Sequence, residues 1–142
     1  MAEDKENMQK ILYEYEQNKA QIEALQEGVG LLSSSIIQME TTIEALKSTN
    51  DLENDNEILL PLGSDSFLRG KITDTKTAIV GIGADVAVKK TISEAIKDIE
   101  SRKDELMKVR DARVKSLEHL IKSTEEMAPQ IQELMAATQK EG

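Results

Sequence analysis

Residues Ala78–Lys90 read AIVGIGADVAVKK. Apolar side chains alternate with smaller or more polar ones, and Gly-Ala-Asp supplies a tight turn, so the stretch predicts a short β-hairpin. Its two strands are the runs Thr77–Ile82 and Val86–Lys89, and two more strand-like runs precede them, Ile58–Leu62 and Phe67–Ile72. The turns between them fall at GSDS, TDTK and GAD, where Gly, Asp, Ser and Thr each favour a chain reversal. Two isolated hairpins are marginal in water, and their edges carry unpaired backbone groups. Few large side chains are available here for a private core. The strands are therefore expected to complete a sheet or barrel with strands of other chains, through Ile58, Leu60, Leu62, Phe67, Leu68, Ile72, Ile79, Val80, Ile82, Val86 and Val88.

The flanks have a different periodicity. With Met8 at position a, the a/d series runs Met8, Ile11, Tyr15, Asn18, Ile22, Leu25, Val29, Leu32, Ile36, Met39, Ile43, Leu46. Steps of 3 and 4 alternate throughout, and eleven of the twelve residues are apolar, which predicts a coiled-coil helix. Asn18, the polar exception, either fixes register or lies where the seam meets solvent. On the other flank, Thr91 and Glu94 in TISE predict a capping box. Ile92, Ala95, Ile99, Leu106 and Val109 then follow a heptad, and the stripe continues as Val114, Leu117, Ile121, Ala128, Ile131 and Met135. Two steps of 4 between Leu106 and Val114 insert a stutter.

The two stripes have nearly equal length, 38 residue steps from Met8 to Leu46 and 39 from Ile92 to Ile131. At 1.5 Å per residue each is about 55–60 Å long. Equal stripes on either side of a connector predict an antiparallel helical hairpin, with Leu46 opposite Ile92, Met8 opposite Ile131 and both termini at one tip. The chain is thus expected to be mostly α with small β. Residues 1–50 and 91–142 form the helical arm, and 51–90 form an acidic loop plus two hairpins for oligomerisation. Pro129 interrupts the second stripe and predicts a kink or fraying there. Gly28 and Gly30 weaken the first helix mid-arm, more as tolerated defects than as a bend.

Composition narrows function. The 142 residues carry a net charge of −9, 32% are charged, and Tyr13, Tyr15 and Phe67 are the only aromatics. Such a composition favours long helices over a globular core. The charge disfavours nucleic acid as the main partner, although bases cluster at Arg102, Lys103, Lys108, Arg110, Arg113 and Lys115. Segments 1–57, 58–90 and 91–142 carry net charges of −9, +2 and −2, so the acidic first helix and the cluster-bearing second are plausible mates. With no cysteine, no apolar run of membrane length and no signal-peptide core, the expected location is the cytoplasm. No catalytic residues, metal site or cofactor are expected. His119 stands alone, Gly81 and Gly83 lack the Lys-Ser/Thr of a phosphate loop, and DLENDNE lacks the geometry of a calcium loop.

Helix, paired hairpins and helix, with ILLPLGSDSFLRGKITDT leading into VGIGADVAVKK, resemble the prefoldin family, specifically its α class, which carries two hairpins per subunit. The resemblance covers nearly the whole chain, with PLG, SF and VGIGADVAVKK as its specific part. It implies an oligomeric β-barrel with coiled-coil arms hanging from it. It also implies ATP-independent binding of unfolded polypeptides at the arm tips and transfer to a group II chaperonin. The implied assembly is a hexamer with β-class subunits, or homo-oligomeric filaments of the gamma type found among archaeal prefoldins. A client clamp would then use the apolar residues of the shared tip: Met8, Ile11, Leu12, Tyr13 and Tyr15 facing Met127, Ala128, Ile131, Leu134 and Met135. Leu12 and Tyr13 fall off the seam and are expected to be exposed, and methionine repacks readily around varied partners. Met8, Ile11, Ile131 and Met135 equally fit the last rung of the seam. The rival reading is an architectural self-assembling scaffold that binds no client.

Overall fold

The computed structural model describes residues 2–141, with side chains through Gln139. Helix α1 (Ala2–Thr49) is followed by β1 (Glu57–Gly63), β2 (Ser66–Lys71), β3 (Thr77–Gly83), β4 (Val86–Thr91) and helix α2 (Ile92–Glu141). Two long helices and two antiparallel hairpins are the architecture that the sequence periodicities call for. The chain forms two compact units, Met1–Ser34 with Leu106–Gly142, and Ser35–Glu105.

The unit Ser35–Glu105 holds both hairpins and the best-buried apolar side chains: Ile36, Ile43, Val80, Ile92 and Ala95. β1 pairs with β2 through Leu60 opposite Leu68, and β3 with β4 through Val80 opposite Val88. The hairpins repeat each other at an offset of twenty residues, so Glu57, Gly63 and Ser66 answer to Thr77, Gly83 and Val86. Both turns use the same device. Ser64 and Asp65, then Ala84 and Asp85, have positive φ at both central positions, each pair preceded by a glycine with φ near 107° or 108°. Such turns match the right-handed twist of the strands they join. Ala84 is the costly member: a Cβ in the left-handed region costs about 1–2 kcal/mol, and alanine has no short polar side chain to offset it by local hydrogen bonding.

A polar hub ties the hairpins to the helices. Asn54 Oδ1 accepts from the Thr75 amide and hydroxyl, both at 3.2 Å, and Thr75 is buried. The Ile72 carbonyl accepts from Asp55 N–H at 2.7 Å, and the Lys76 carbonyl from Ile92 N–H at 3.1 Å. Thr91 Oγ1 accepts from Glu94 N–H at 3.2 Å, as the capping box requires. Asp74 closes the linker between the hairpins by accepting from the Thr77 hydroxyl and the Lys76 amide. The Thr77 hydroxyl, then the Lys76 N–H and the nearby Lys89 charge, hold the Asp74 carboxyl below its ordinary value. These bonds favour the ionised form. Their contribution to linker order is therefore present above pH about 4 and is lost as acid protonates the group. Carboxyl NMR should place the Asp74 midpoint below that of an ordinary aspartate, with the Lys76 and Thr77 amides moving in step. A midpoint at or above the ordinary value would contradict this linker geometry.

In the unit Met1–Ser34 with Leu106–Gly142, the helices run antiparallel. Met8 lies against Thr138, whose hydroxyl points at the thioether sulfur at 3.6 Å, and Asn18 Nδ2 approaches Met127 Sδ at 3.5 Å. Every a/d residue named for α1 is buried or half-buried, while most of the intervening residues are exposed. Asn18 belongs to the seam.

Several details of α2 differ from expectation. Met8 meets Thr138 rather than Ile131, and in the other unit Lys47 pairs with Glu100 at 3.9 Å rather than Leu46 meeting Ile92. The pairing is displaced by about one heptad. A seven-residue slip maps the a/d residues of α1 onto a/d residues, so the α1 seam alone does not fix the register. What selects is the start of α2. Its first turns are engaged by the hairpin linker through Ile92 N–H and by β4 through the Lys90–Asp98 ion pair. The inward positions around the stutter are Leu106, Arg110 and Val114, whereas Val109 is exposed. Toward the end, Met127, Ile131, Leu134 and Thr138 turn inward, whereas Ala128 and Met135 are exposed. Helix α2 continues through Pro129 to Glu141 without fraying. The Lys47–Glu100 pair also reverses the expected polarity, with the base on α1 and the acid on α2.

Candidate interaction surfaces of the hairpins and the helix ends

Alternation along the strands sorts the hairpin side chains by face. Ile79 is 80% exposed and its neighbour Val80 only 8%. The inner face of β3 and β4 thus carries Val80 and half-buried Val88, already covered by the chain itself. The opposite face presents Ile79 to solvent; Ile82 at the bulge and Val86 at the turn end of the Val88 face are exposed as well, and the β1–β2 hairpin exposes Leu59, Leu60, Leu62, Phe67 and Leu68. Ile58 and Ile72 are half-buried. Leu59 is a member the sequence reading omitted, although its place opposite Arg69 and its equivalence to Ile79 in the twenty-residue repeat point to it.

The hairpins differ in how firmly they are held. Arg102 Nη2 donates to the Gly81 carbonyl at 3.2 Å and Lys90 pairs with Asp98, so β3 and β4 are fastened to α2. Strands β1 and β2 are exposed along nearly their whole length, with Ile58 and Gly70 as the half-buried exceptions. Exposed apolar surface of this kind is, as a general rule, characteristic of association sites. Gly81 and Gly83 serve as a strand residue and a turn residue.

The helix ends carry the second set. Met8, Ile11, Leu12, Tyr15, Met127, Ile131 and Leu134 are half-buried in the seam and on its flanks. Leu12 is thereby less open than its off-seam position suggests. Tyr13 is 68% and Met135 50% exposed, and Tyr13 borders a shallow recess with Glu6, Gln9 and Lys10. The Lys19 ammonium stands 4.8 Å from the Tyr15 ring centroid, so this aromatic is engaged within its own helix. No helix of the described residues is long and apolar enough to cross a membrane, and no group of three His, Asp or Glu among them could hold a metal.

Comparison with known proteins places these surfaces in context. A family profile described as Prefoldin subunit matches residues 18–137. The prefoldin subunit alpha of Methanopyrus kandleri is 41% identical over 114 residues, covering 75% of this chain and 73% of the relative. That of Pyrococcus horikoshii is 33% identical over 142 residues, covering 97% and 96%. Among solved structures, the cryo-EM structure of filamentous PFD from Methanocaldococcus jannaschii superposes with a TM-score of 0.70 at 25% identity. That match covers 80% of this chain and 93% of the other.

Proposed function

Because the chain belongs to the prefoldin family, whose subunits assemble with one another, we propose that it is an ATP-independent holdase subunit that captures unfolded polypeptide and performs no catalysis. In this reading residues 51–90 are the assembly region, their outer strand faces closing a β-barrel with neighbouring subunits. The helices of residues 1–50 and 91–142 are the arms. The observation that carries the client-binding step is the exposure of Tyr13 and Met135 at a helix end that is otherwise interlocked by Met8 and Thr138. An aromatic and a thioether left in water form a soft, adaptable contact for apolar segments of many shapes. One such contact is weak. Several arms engaging one client multiply it through effective concentration, which removes any need for nucleotide-driven closure. The bound chain is then handed to a group II chaperonin.

The test is aggregation of a denatured protein followed by light scattering without nucleotide. The intact chain is expected to suppress scattering, and a chain cut back to about residues 16–126 is expected to lose the suppression while assembling with the same number of subunits. Undiminished suppression by the truncated chain would remove the tip from the mechanism. A second reading, architectural self-assembly without client capture, is favoured by the filamentous structural neighbour. It predicts high-mass particles and no suppression by either chain.

A further inference from the structure

Away from the tip, in the unit Met1–Ser34 with Leu106–Gly142, a groove of about 390 Å³ is lined by Gln21, Ala24, Leu25, Gly28 and Arg113. Helical spacing explains it. Gln21, Ala24 and Gly28 fall on one stripe of α1, and two of the three have little or no side chain, so the surface is hollow there. Leu31, 72% exposed, continues the same stripe. Gly28 also sets the approach of the cation: a methyl built on it would lie 3.5 Å from Arg113 Nη1, so the guanidinium rests close over bare backbone.

Among the described residues, Lys108, Arg113 and Lys115 form no ion pair. Helix α1 carries no charged residue from Gly28 through Met39, with Glu27 and Glu40 bounding the run. Lys108, Arg113 and Lys115 are exposed on α2, and Arg110 forms its ion pair with Asp111 of its own helix, at 3.5 Å. A chain of net charge −9 therefore concentrates bases beside an uncharged, partly apolar strip. A floor of Ala, Leu and Gly with one guanidinium at its rim is complementary to an apolar side chain that has a carboxylate close to it. Arginine is the cation suited to that role, since its planar fork takes a carboxylate in bidentate fashion. The groove offers no aromatic platform for stacking a nucleobase, and the overall charge opposes polyanions.

We infer that this groove is a second polypeptide-binding site, selective for non-native segments that carry Glu or Asp within one or two residues of a bulky apolar side chain. The inference rests on the holdase reading for its client, and assigns the arm a preference that the tip, with Tyr13 and Met135, does not have. Association is fast and reversible and strengthens at low salt, as expected of a contact with an exposed charge partner.

The test uses the full-length chain and fluorescence anisotropy with three labelled twelve-residue peptides. One carries Leu, Phe and Glu, the second replaces Glu by Lys, and the third keeps Glu but replaces the apolar residues by Ser. Wild type is expected to bind the first about tenfold more tightly than either of the others. R113Q should abolish the preference for Glu over Lys and R113E should reverse it, while both variants retain wild-type helicity and suppress aggregation of a denatured protein poor in acidic residues. A preference for the Glu peptide that survives R113Q overturns the site. Equal binding of the Ser-substituted peptide, or displacement of all three by inorganic polyphosphate, overturns it in favour of a polyanion surface. If wild type shows the Arg113-dependent preference but suppresses no aggregation, the groove stands as a peptide site and the holdase reading falls. If wild type suppresses aggregation but shows no preference, the groove falls and the holdase reading stands.

Discussion

Replacing Leu62 and Ile79 together by glutamate is expected to dissolve the assembled particle into small species while leaving each chain folded. Both side chains are exposed and lie outside the chain's own core, so the isolated subunit loses little. If the strands close the proposed barrel, the same positions become buried in the assembly. Each substitution then forfeits about 1.5–3 kcal/mol of apolar burial and brings a carboxylate to a surface without a planned partner. Two sites together cost on the order of 5 kcal/mol, which weakens association by about three to four powers of ten. Native mass spectrometry and far-UV circular dichroism read the two halves of this expectation. A particle of unaltered mass would mean that these exposed strand residues are not the interface. Val80→Glu is the internal contrast. Val80 is buried within its own subunit, so the charge there should damage folding itself.

Pro129→Ala is expected to have the opposite effect, stabilising the end of α2. The helix runs unbroken from Ile92 to Glu141 although residue 129 has no N–H to offer the carbonyl of Glu125, and its ring crowds the preceding turn. In a helix interior that defect costs about 3 kcal/mol. Alanine restores the hydrogen bond and removes the clash, so local opening should become rarer by up to about a hundredfold, with fraying from the end limiting the gain. Native-state hydrogen exchange over residues 125–139 is the direct measurement. Unchanged protection would show that the proline is accommodated without strain. If the aggregation assay also weakens in this variant, the looseness at Pro129 serves client capture. If not, it is a tolerated defect.

Much of this protein was legible in one dimension, for reasons that differ by element. Helix α1 declared itself because a 3-4 repeat over twelve positions leaves only one way to hide that many apolar side chains. The hairpins were legible through their turn chemistry, since Gly63-Ser64-Asp65 and Gly83-Ala84-Asp85 supply the glycine and the short polar side chain that positive φ tolerates. Helix α2 was read less well. Its seam includes Arg110, Thr124 and Thr138, polar side chains that a search for apolar spacing passes over. Assigning Val109, Ala128 and Met135 to the seam followed from the same blindness. The groove beneath Arg113 had a trace in the sequence, the uncharged run from Gly28 to Met39, but only the proximity of Arg113 to Gly28 gives that run a partner.

Local patterns alone determined which segments become helices and strands and which face of α1 turns inward, because periodicity and turn propensity act between near neighbours. Tertiary structure alone decided which rung of one helix meets which rung of the other. The apolar pattern of α1 repeats after seven residues and does not by itself select the rung. Single, non-repeating contacts hold the start of α2 against the hairpins: the carbonyl of Lys76 on Ile92, Lys90 on Asp98 and Arg102 on Gly81. Lys47 on Glu100 marks the rung at which α1 meets α2.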